Sequence, residues 1–281
     1  MLLNGVTLRL IPRSYVSLTC SFIHNAIMPD LSLLLHTAID AAYEAGKLTL
    51  GYFRTGNFMV ERKDNDSPVT VADRKAEEKI RQIIRERFPE HGILGEEHGE
   101  ETGSAPVRWI IDPIDGTKSF VHGVPLYGTM IGIEVEGEAS VGVVYMPALD
   151  EMYYAAEGLG AHMNGRQIRT SPTEALSEAV ILNTSEKKLR DMAGYRELCS
   201  RTRFQRSWGD CYGHMLVASG RAEVMLDPGM SVWDCAPLKV IVEEAGGVFT
   251  DWNGNATIHG GSAISTNSAL RDVVMQILAG A

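Results

Sequence analysis

An apolar run, Trp109-Ile110-Ile111, leads directly into Asp112-Pro113-Ile114-Asp115-Gly116-Thr117. A short, continuous run of bulky residues of this kind marks a buried strand. Whatever fold forms must therefore set two carboxylates, a glycine and a hydroxyl at the end of that strand. Strict alternation would aim Asp112 and Ile114 to one side of the sheet. Pro113 is expected to end regular pairing, and the turn that follows lets both carboxylates face one site. Gly116 permits close backbone approach, and a helix from Asp115 to Phe120 would offer free N–H groups to a phosphate. The same residues also read as an Asp-Pro turn in which Asp115 caps a helix.

The 281 residues are 44% hydrophobic, enough for one large core or two smaller ones packed together. A formal net charge of -10 argues against nucleic-acid binding, which draws on Lys and Arg. Acidic side chains that meet an anionic substrate need metal ions between them. Cys20, Cys199, Cys211 and Cys235 are scattered, which fits neither a disulfide framework nor a zinc ribbon and points to a reducing cytoplasm. No apolar run is long enough to span a bilayer, so no membrane partner is expected. Residues 1–28 hold Arg9 and Arg13 but no Asp or Glu. They read as an over-long start with Met28 as the true one, or as a weak transit peptide.

Apolar residues at helical spacing from Leu33 to Leu50, after Asp30 as N-cap, predict a long helix. A polar stretch from Glu61 to Ser67 closes at Pro68 and leads to Asp73. A second helical face, Ala76, Ile80, Ile83, Ile84 and Phe88, follows and ends at Pro89. Gly128 to Val135 and Ala139 to Tyr145 read as a hairpin, with Met152 to Ala156 beside it. Beyond Ser171, strands at Val180, Arg203, Glu223, Gly247 and Ala263 alternate with helices over 187–200, 211–219, 236–245 and 268–278. An antiparallel α+β half, residues 29–170, thus precedes an α/β half, residues 171–281, with two sheets and helices layered around them.

Further carboxylates follow short apolar stretches: Gly95-Glu96-Glu97 after Ile93-Leu94, and Asp234 in Trp233-Asp234-Cys235. Read alone, Glu96 and Glu97 make a solvated turn and Asp234 a helix cap. Together with Asp112 and Asp115 they supply the oxygen ligands that hard divalent cations require. The order Lys63, Thr70-Val71-Ala72-Asp73, Gly95-Glu96-Glu97, Asp112 to Thr117 and Trp233-Asp234 resembles the inositol monophosphatase superfamily from about Leu31 to Leu278. The resemblance implies a layered αβαβα sandwich and a Mg²⁺-dependent phosphatase acting on a small-molecule phosphate monoester. Glu96, Asp112 and the carbonyl of Ile114 would hold one Mg²⁺. Asp112, Asp115 and Asp234 would hold a second, and a third, weaker ion would lean on Glu96. Thr117 and Asp73 would orient the attacking water, with the Thr117 hydroxyl donating to Asp73. Asp115, Gly116 and Thr117 would meet the phosphate. A homodimer is the expected assembly, as among relatives.

Lys118-Ser119-Phe120, Gly123 to Thr129 and Trp208 to Gly213 are similar to the histidinol-phosphate phosphatase branch. By that resemblance Asp210 and Asp227, beside Asp234, fall where the leaving alcohol is held. Added carboxylates suit a cationic amino alcohol better than a neutral polyol. Alone, Asp210 reads as a helix cap and Asp227 as a turn residue. Tyr127, Trp208 and Tyr212 are candidates to stack on an imidazole ring, although aromatics more often pack a core. The histidines, His122 and His214 included, lack metal-ligand spacing. Rival readings are an inositol or broad sugar phosphatase, a bisphosphate phosphatase, and a catalytically silent binding protein that keeps the fold.

Overall fold

The computed structural model describes residues 29–55, 60–62 and 68–280. Residues 1–28, and Lys63 with them, lie outside the described part. The first helix, α1 (Leu31–Leu50), starts where Asp30 accepts hydrogen bonds from the N–H groups of Ser32 and Leu33. Two short strands, β1 (Val60–Arg62) and β2 (Pro68–Thr70), pair antiparallel across the stretch read as merely polar. They lead into α2 (Val71–Arg87).

A mixed sheet follows, with β3 (Gly92–Gly95), β4 (Gly99–Glu101), β5 (Val107–Asp115), β6 (Gly128–Val135), β7 (Glu138–Met146), β8 (Glu151–Ala156), β9 (Gly160–Met163) and β10 (Arg166–Gln167). Its order is β10-β9-β8-β7-β6-β5-β3-β4, and only β3 and β5 run parallel among the described pairs. A single helical turn and a half, α3 (Thr117–Val121), leaves the end of β5. The second sheet has the order β12-β11-β13-β15-β14, from β11 (Val180–Asn183), β12 (Phe204–Arg206), β13 (Val224–Asp227), β14 (Gly247–Thr250) and β15 (Ala263–Asn267). Its helices are α4 (Glu186–Leu189), α5 (Ala193–Arg201), α6 (Asp210–Ala218), α7 (Val232–Glu244) and α8 (Arg271–Leu278). The expected single helix over 187–200 is thus two, α4 and α5.

Alternation along β5 explains the layers. Trp109 and Ile111 face α1 and α2, where they pack with Ala38, Ala41 and Ile80. Ile110 faces the other way, onto Cys211 and Met215 of α6 and Cys235, Ala236 and Leu238 of α7. Beyond α6 and α7 lies the second sheet, whose far face packs on α5 and α8 through Ile181, Leu198, Leu226 and Val274. The result is the αβαβα sandwich.

The seat of α7 matters most for the site. Gly132 and Gly142 are cross-strand partners on β6 and β7. A Cβ on Gly132 would come within 2.6 Å of the Ala236 Cβ, and one on Gly142 within 2.3 Å of the Pro237 carbonyl oxygen. Two bare strand positions therefore let the helix backbone rest directly on the sheet. The N-terminal turn of α7, with Asp234, is brought down to the level of β5.

Candidate active site

The strand β5 does not end at Pro113, as the sequence had implied. Asp112 pairs with Met130 and Asp115 with Gly128, so Pro113 and Ile114 together oppose the single residue Thr129. This is a β-bulge, the setting in which a sheet tolerates proline. The Thr129 hydroxyl donates to the Pro113 carbonyl at 2.9 Å, and the Ile114 N–H donates to Asp112 Oδ1 at 3.0 Å. The extra residue shifts the alternation by one, so Asp112 and Asp115 meet on one side. The helix starts later than expected, at Thr117, with Gly116 as N-cap at φ 78°. Asp115 belongs to the strand and does not cap α3. A side chain at Gly116 would also stand 3.0 Å from the Leu126 carbonyl oxygen and 3.2 Å from Asp210 Oδ2.

Carboxylate oxygens of Asp112, Asp115 and Asp234 all lie within 4.8 Å of one another. Asp234 is not the N-cap of α7 but its third helical residue, and its Oδ2 accepts from the Ser231 N–H at 2.6 Å. Asp115 Oδ2 accepts from the Cys211 N–H at 2.5 Å. Burial raises all three carboxyl pKa values. Asp115 and Asp234 rise to about 7, with Asp234 adding to the burial of Asp115 and Glu96 adding to that of Asp234. Asp112 stands well above the carboxylate range, through burial and then the charges of Glu96, Asp115 and Asp234. A set of crowded oxygen donors that resist ionising together is what a hard divalent cation relieves, so the residues fit one. Glu96 stands outside the tight triad but close enough for its charge to act on Asp112 and Asp234.

Asp73 lies in the first turn of α2. Thr70, not Asp73, caps that helix, and Asp73 Oδ2 accepts both the Thr70 N–H at 2.8 Å and the Thr70 hydroxyl at 2.6 Å. Burial lifts its pKa to about 7 despite those two bonds. The bond expected from Thr117 to Asp73 is not formed. The Thr117 hydroxyl instead donates to the Ile114 carbonyl at 3.1 Å.

Gly116, Thr117 and Lys118 form one wall of a cleft of about 480 Å³, and Asp210 and Asp227 line it with Thr184, Lys188 and Ser207. Asp227 ends β13, where Oδ2 accepts from the Thr184 hydroxyl at 2.5 Å and Oδ1 from the Gly229 N–H at 3.3 Å. Its pKa rises to about 6 through burial, partly offset by Thr184 and Lys188. Asp210 is the first residue of α6, behind the N-cap Gly209, and adopts φ 54°. Its N–H donates to the Thr184 hydroxyl at 2.9 Å, so one threonine ties both aspartates together. Burial, then Asp115 and Asp227, raise the Asp210 pKa. Thr184, Lys188 and Ser207 were not anticipated, because polar residues in loops and short helices carry no pattern that separates a cleft wall from solvent.

Tyr127 is unavailable for stacking, being wholly buried against Phe53 and Phe120. Trp208, 42% exposed and next to two cleft residues, remains free to serve. His214 is a packed neutral histidine, with Nδ1 2.7 Å from the Ser265 hydroxyl and its pKa pushed down to about 3 by burial. No described helix is long and apolar enough to cross a membrane.

Comparison with known proteins places this geometry. A histidinol-phosphatase of Chlorobaculum parvum is 49% identical over 246 residues, covering 86% of this chain and 93% of the relative. A histidinol-phosphatase of Mycobacterium tuberculosis is 37% identical, over 86% of this chain and 96% of the relative. Among solved structures, the Thermotoga maritima IMPase superposes with a TM-score of 0.81 at 34% identity, covering 88% of this chain and 97% of the other. The profile of the inositol monophosphatase family matches residues 30–279, and the chain belongs to that family.

Proposed function

We propose that this phosphoric monoester hydrolase acts on L-histidinol phosphate, releasing L-histidinol and phosphate, with Mg²⁺ at the Asp112, Asp115 and Asp234 carboxylates. The observation that carries the substrate assignment is the pair of acidic residues on the wall of the cleft that also holds Gly116 and Thr117, buried Asp227 and half-buried Asp210, with the Asp227 carboxylate and the Asp210 N–H both bonded to the Thr184 hydroxyl. The name of the relatives that are 49% and 37% identical supports it. A phosphate placed over Gly116 and Thr117 would meet the first N–H groups of α3, which lack intrahelical partners. The alcohol would then extend toward Asp210 and Asp227, whose negative charge favours an ammonium or imidazolium over a neutral polyol.

Bound at the triad, with Glu96 and the Ile114 carbonyl alongside, Mg²⁺ would supply Lewis-acid activation of water and neutralise charge at phosphorus. Two or three ions fit the number of carboxylates. The Thr117 hydroxyl would hold the water in line with the leaving oxygen. Asp73, ionised only above about pH 7, would serve as the proton acceptor behind it. The expected assembly remains a homodimer.

The test is phosphate release with Mg²⁺ from histidinol phosphate and from inositol phosphate, repeated in Asp210→Asn/Asp227→Asn. The wild type is expected to prefer histidinol phosphate, and the double variant to lose that preference mainly through KM. Faster hydrolysis of inositol phosphate by the wild type would overturn the substrate assignment. One observation favours that second reading: Lys118 and Lys188 stand on the same cleft wall and offset the charge of Asp210 and Asp227.

A further inference from the structure

Glu77 is a carboxylate at a core position. It is fully buried on the face of α2 that also carries Ala76, Ile80 and Ile84. Its charge is met on one side by Arg81, one turn along the helix, whose Nε donates to Glu77 Oε1 at 2.7 Å. On the other side it meets the β3–β4 turn, where His98 Nδ1 also lies 3.4 Å from Oε1. Glu77 Oε2 accepts from the Glu97 N–H at 2.7 Å, and Oε1 from the His98 N–H at 3.2 Å.

Those two N–H groups belong to the three-residue turn between β3 and β4. The N–H just before them, that of Glu96, donates to the carbonyl of Ile111 at 3.1 Å, the residue immediately ahead of Asp112. Three successive N–H groups of the turn are thereby fixed, one to the strand that bears Asp112 and two to Glu77. The far side of the turn is held by Arg81 as well, through Gly99 O at 2.5 Å and Glu101 Oε1 at 2.9 Å. The closeness is tight enough that a Cβ on Gly95 would fall 2.0 Å from Glu77 Oε1, which explains the glycine before Glu96. Burying an ion pair costs desolvation energy, and this one is offset by bonds to the β3–β4 turn and to Gly99 and Glu101 of β4.

We infer that Glu77, backed by Arg81, is a positioning residue that fixes the β3–β4 turn and so sets where the Glu96 carboxylate stands relative to Asp112. The inference rests on the reading of Asp112, Asp115, Asp234 and Glu96 as cation ligands. Outer groups that orient ligands commonly govern metal affinity by about 10- to 100-fold. Glu77 is not one of the carboxylates grouped as cation ligands.

The experiment is calorimetric titration of Mg²⁺ into substrate-free protein, with melting temperature recorded in parallel. Four variants are compared with the wild type: Glu77→Gln, Glu77→Leu/Arg81→Met, Leu198→Ala and Asp112→Asn. The double variant removes both charges together, so no unpaired guanidinium is left to unfold the protein. Leu198→Ala loosens the distant core between α5 and the second sheet and controls for lost stability. The expected result is Mg²⁺ affinity weakened by about 10-fold or more in Glu77→Gln and in the folded double variant. Leu198→Ala should bind as the wild type does, and Asp112→Asn should not bind measurably. Wild-type affinity in the folded double variant, with binding lost in Asp112→Asn, would overturn the positioning role alone. Wild-type affinity in Asp112→Asn would overturn the ligand reading, and this inference with it.

Discussion

The N-termini of α2 and α7 are built alike and used differently. In each, the third helical residue is an aspartate, Asp73 or Asp234, that reaches back to the N–H of the cap residue, Thr70 or Ser231. In each, burial raises the carboxyl to about pKa 7. Around Asp234 stand Asp112, Asp115 and Glu96, and α7 is pressed onto the sheet by the Gly132–Gly142 seat. Around Asp73 the next acidic charge is Glu97, and the Thr70 hydroxyl supplies a second bond to the same oxygen. A capping role and a chemical role are therefore not alternatives. One carboxylate oxygen closes the helix end, and the other is left to whatever the tertiary packing brings near.

The comparison predicts opposite losses. Asp234→Asn should lower kcat by about 10³-fold and abolish tight Mg²⁺ binding, because a charged ligand is removed from the cluster where phosphoryl charge is neutralised. Its cap bond survives, since the Asn carbonyl oxygen still accepts from Ser231, and the metal-free protein should melt no lower than the wild type. A clear drop in that melting temperature would assign Asp234 to capping. Asp73→Asn should lower kcat by about 10²-fold, in the range of general base loss, and leave Mg²⁺ affinity unchanged. Weakened Mg²⁺ binding in Asp73→Asn would erase the distinction between the two helix ends.

A pH series sharpens the same contrast. Asp115 and Asp234 have folded pKa values raised from 3.8 to about 7. The unfolded chain releases these protons first, so their contribution to stability is whole below about pH 3.8 and is lost as pH rises through about 7. Buried His214, lowered to about 3, acts in the reverse sense, losing stability as pH falls below about 6.5. Taking the difference between the wild type and Asp115→Asn cancels the histidine. In chelator, the wild-type melting temperature should fall relative to the variant between pH 4 and 7, and Mg²⁺ should remove the difference. Parallel curves in chelator would show that the triad is not under strain.

What could be read in the sequence follows the range of the forces involved. Asp30 as a cap and the hairpin of β6 and β7 were visible because caps and alternation act over a few residues. The grouping of Asp112, Asp115 and Asp234 was visible only through family resemblance, since about 120 residues separate the last from the others. Pro113 misled for a physical reason: proline ends a ladder in general, but a bulge absorbs it, and the bulge depends on Thr129 across the sheet. Glu77 and Arg81 left a signal that passed unread, a charged pair four residues apart on the apolar stripe of Ala76, Ile80 and Ile84. The Gly132–Gly142 seat left none, because its meaning lies in a helix about 100 residues away.

The smallest effect separates the two helix ends most finely. The Thr70 hydroxyl accepts from the Ala72 N–H at 3.1 Å and donates to Asp73 Oδ2 at 2.6 Å. Thr70→Ala removes the cap and should cost about 1 kcal/mol of stability. It also removes a bond that favours the ionised carboxylate, so the Asp73 pKa must rise further. If Asp73 acts as the base, the acid limb of the kcat profile moves to higher pH in Thr70→Ala and returns in Thr70→Ser, which restores the hydroxyl. A cap alone would lower the melting temperature and leave the profile in place, so an unmoved limb would confine Asp73 to holding the end of α2.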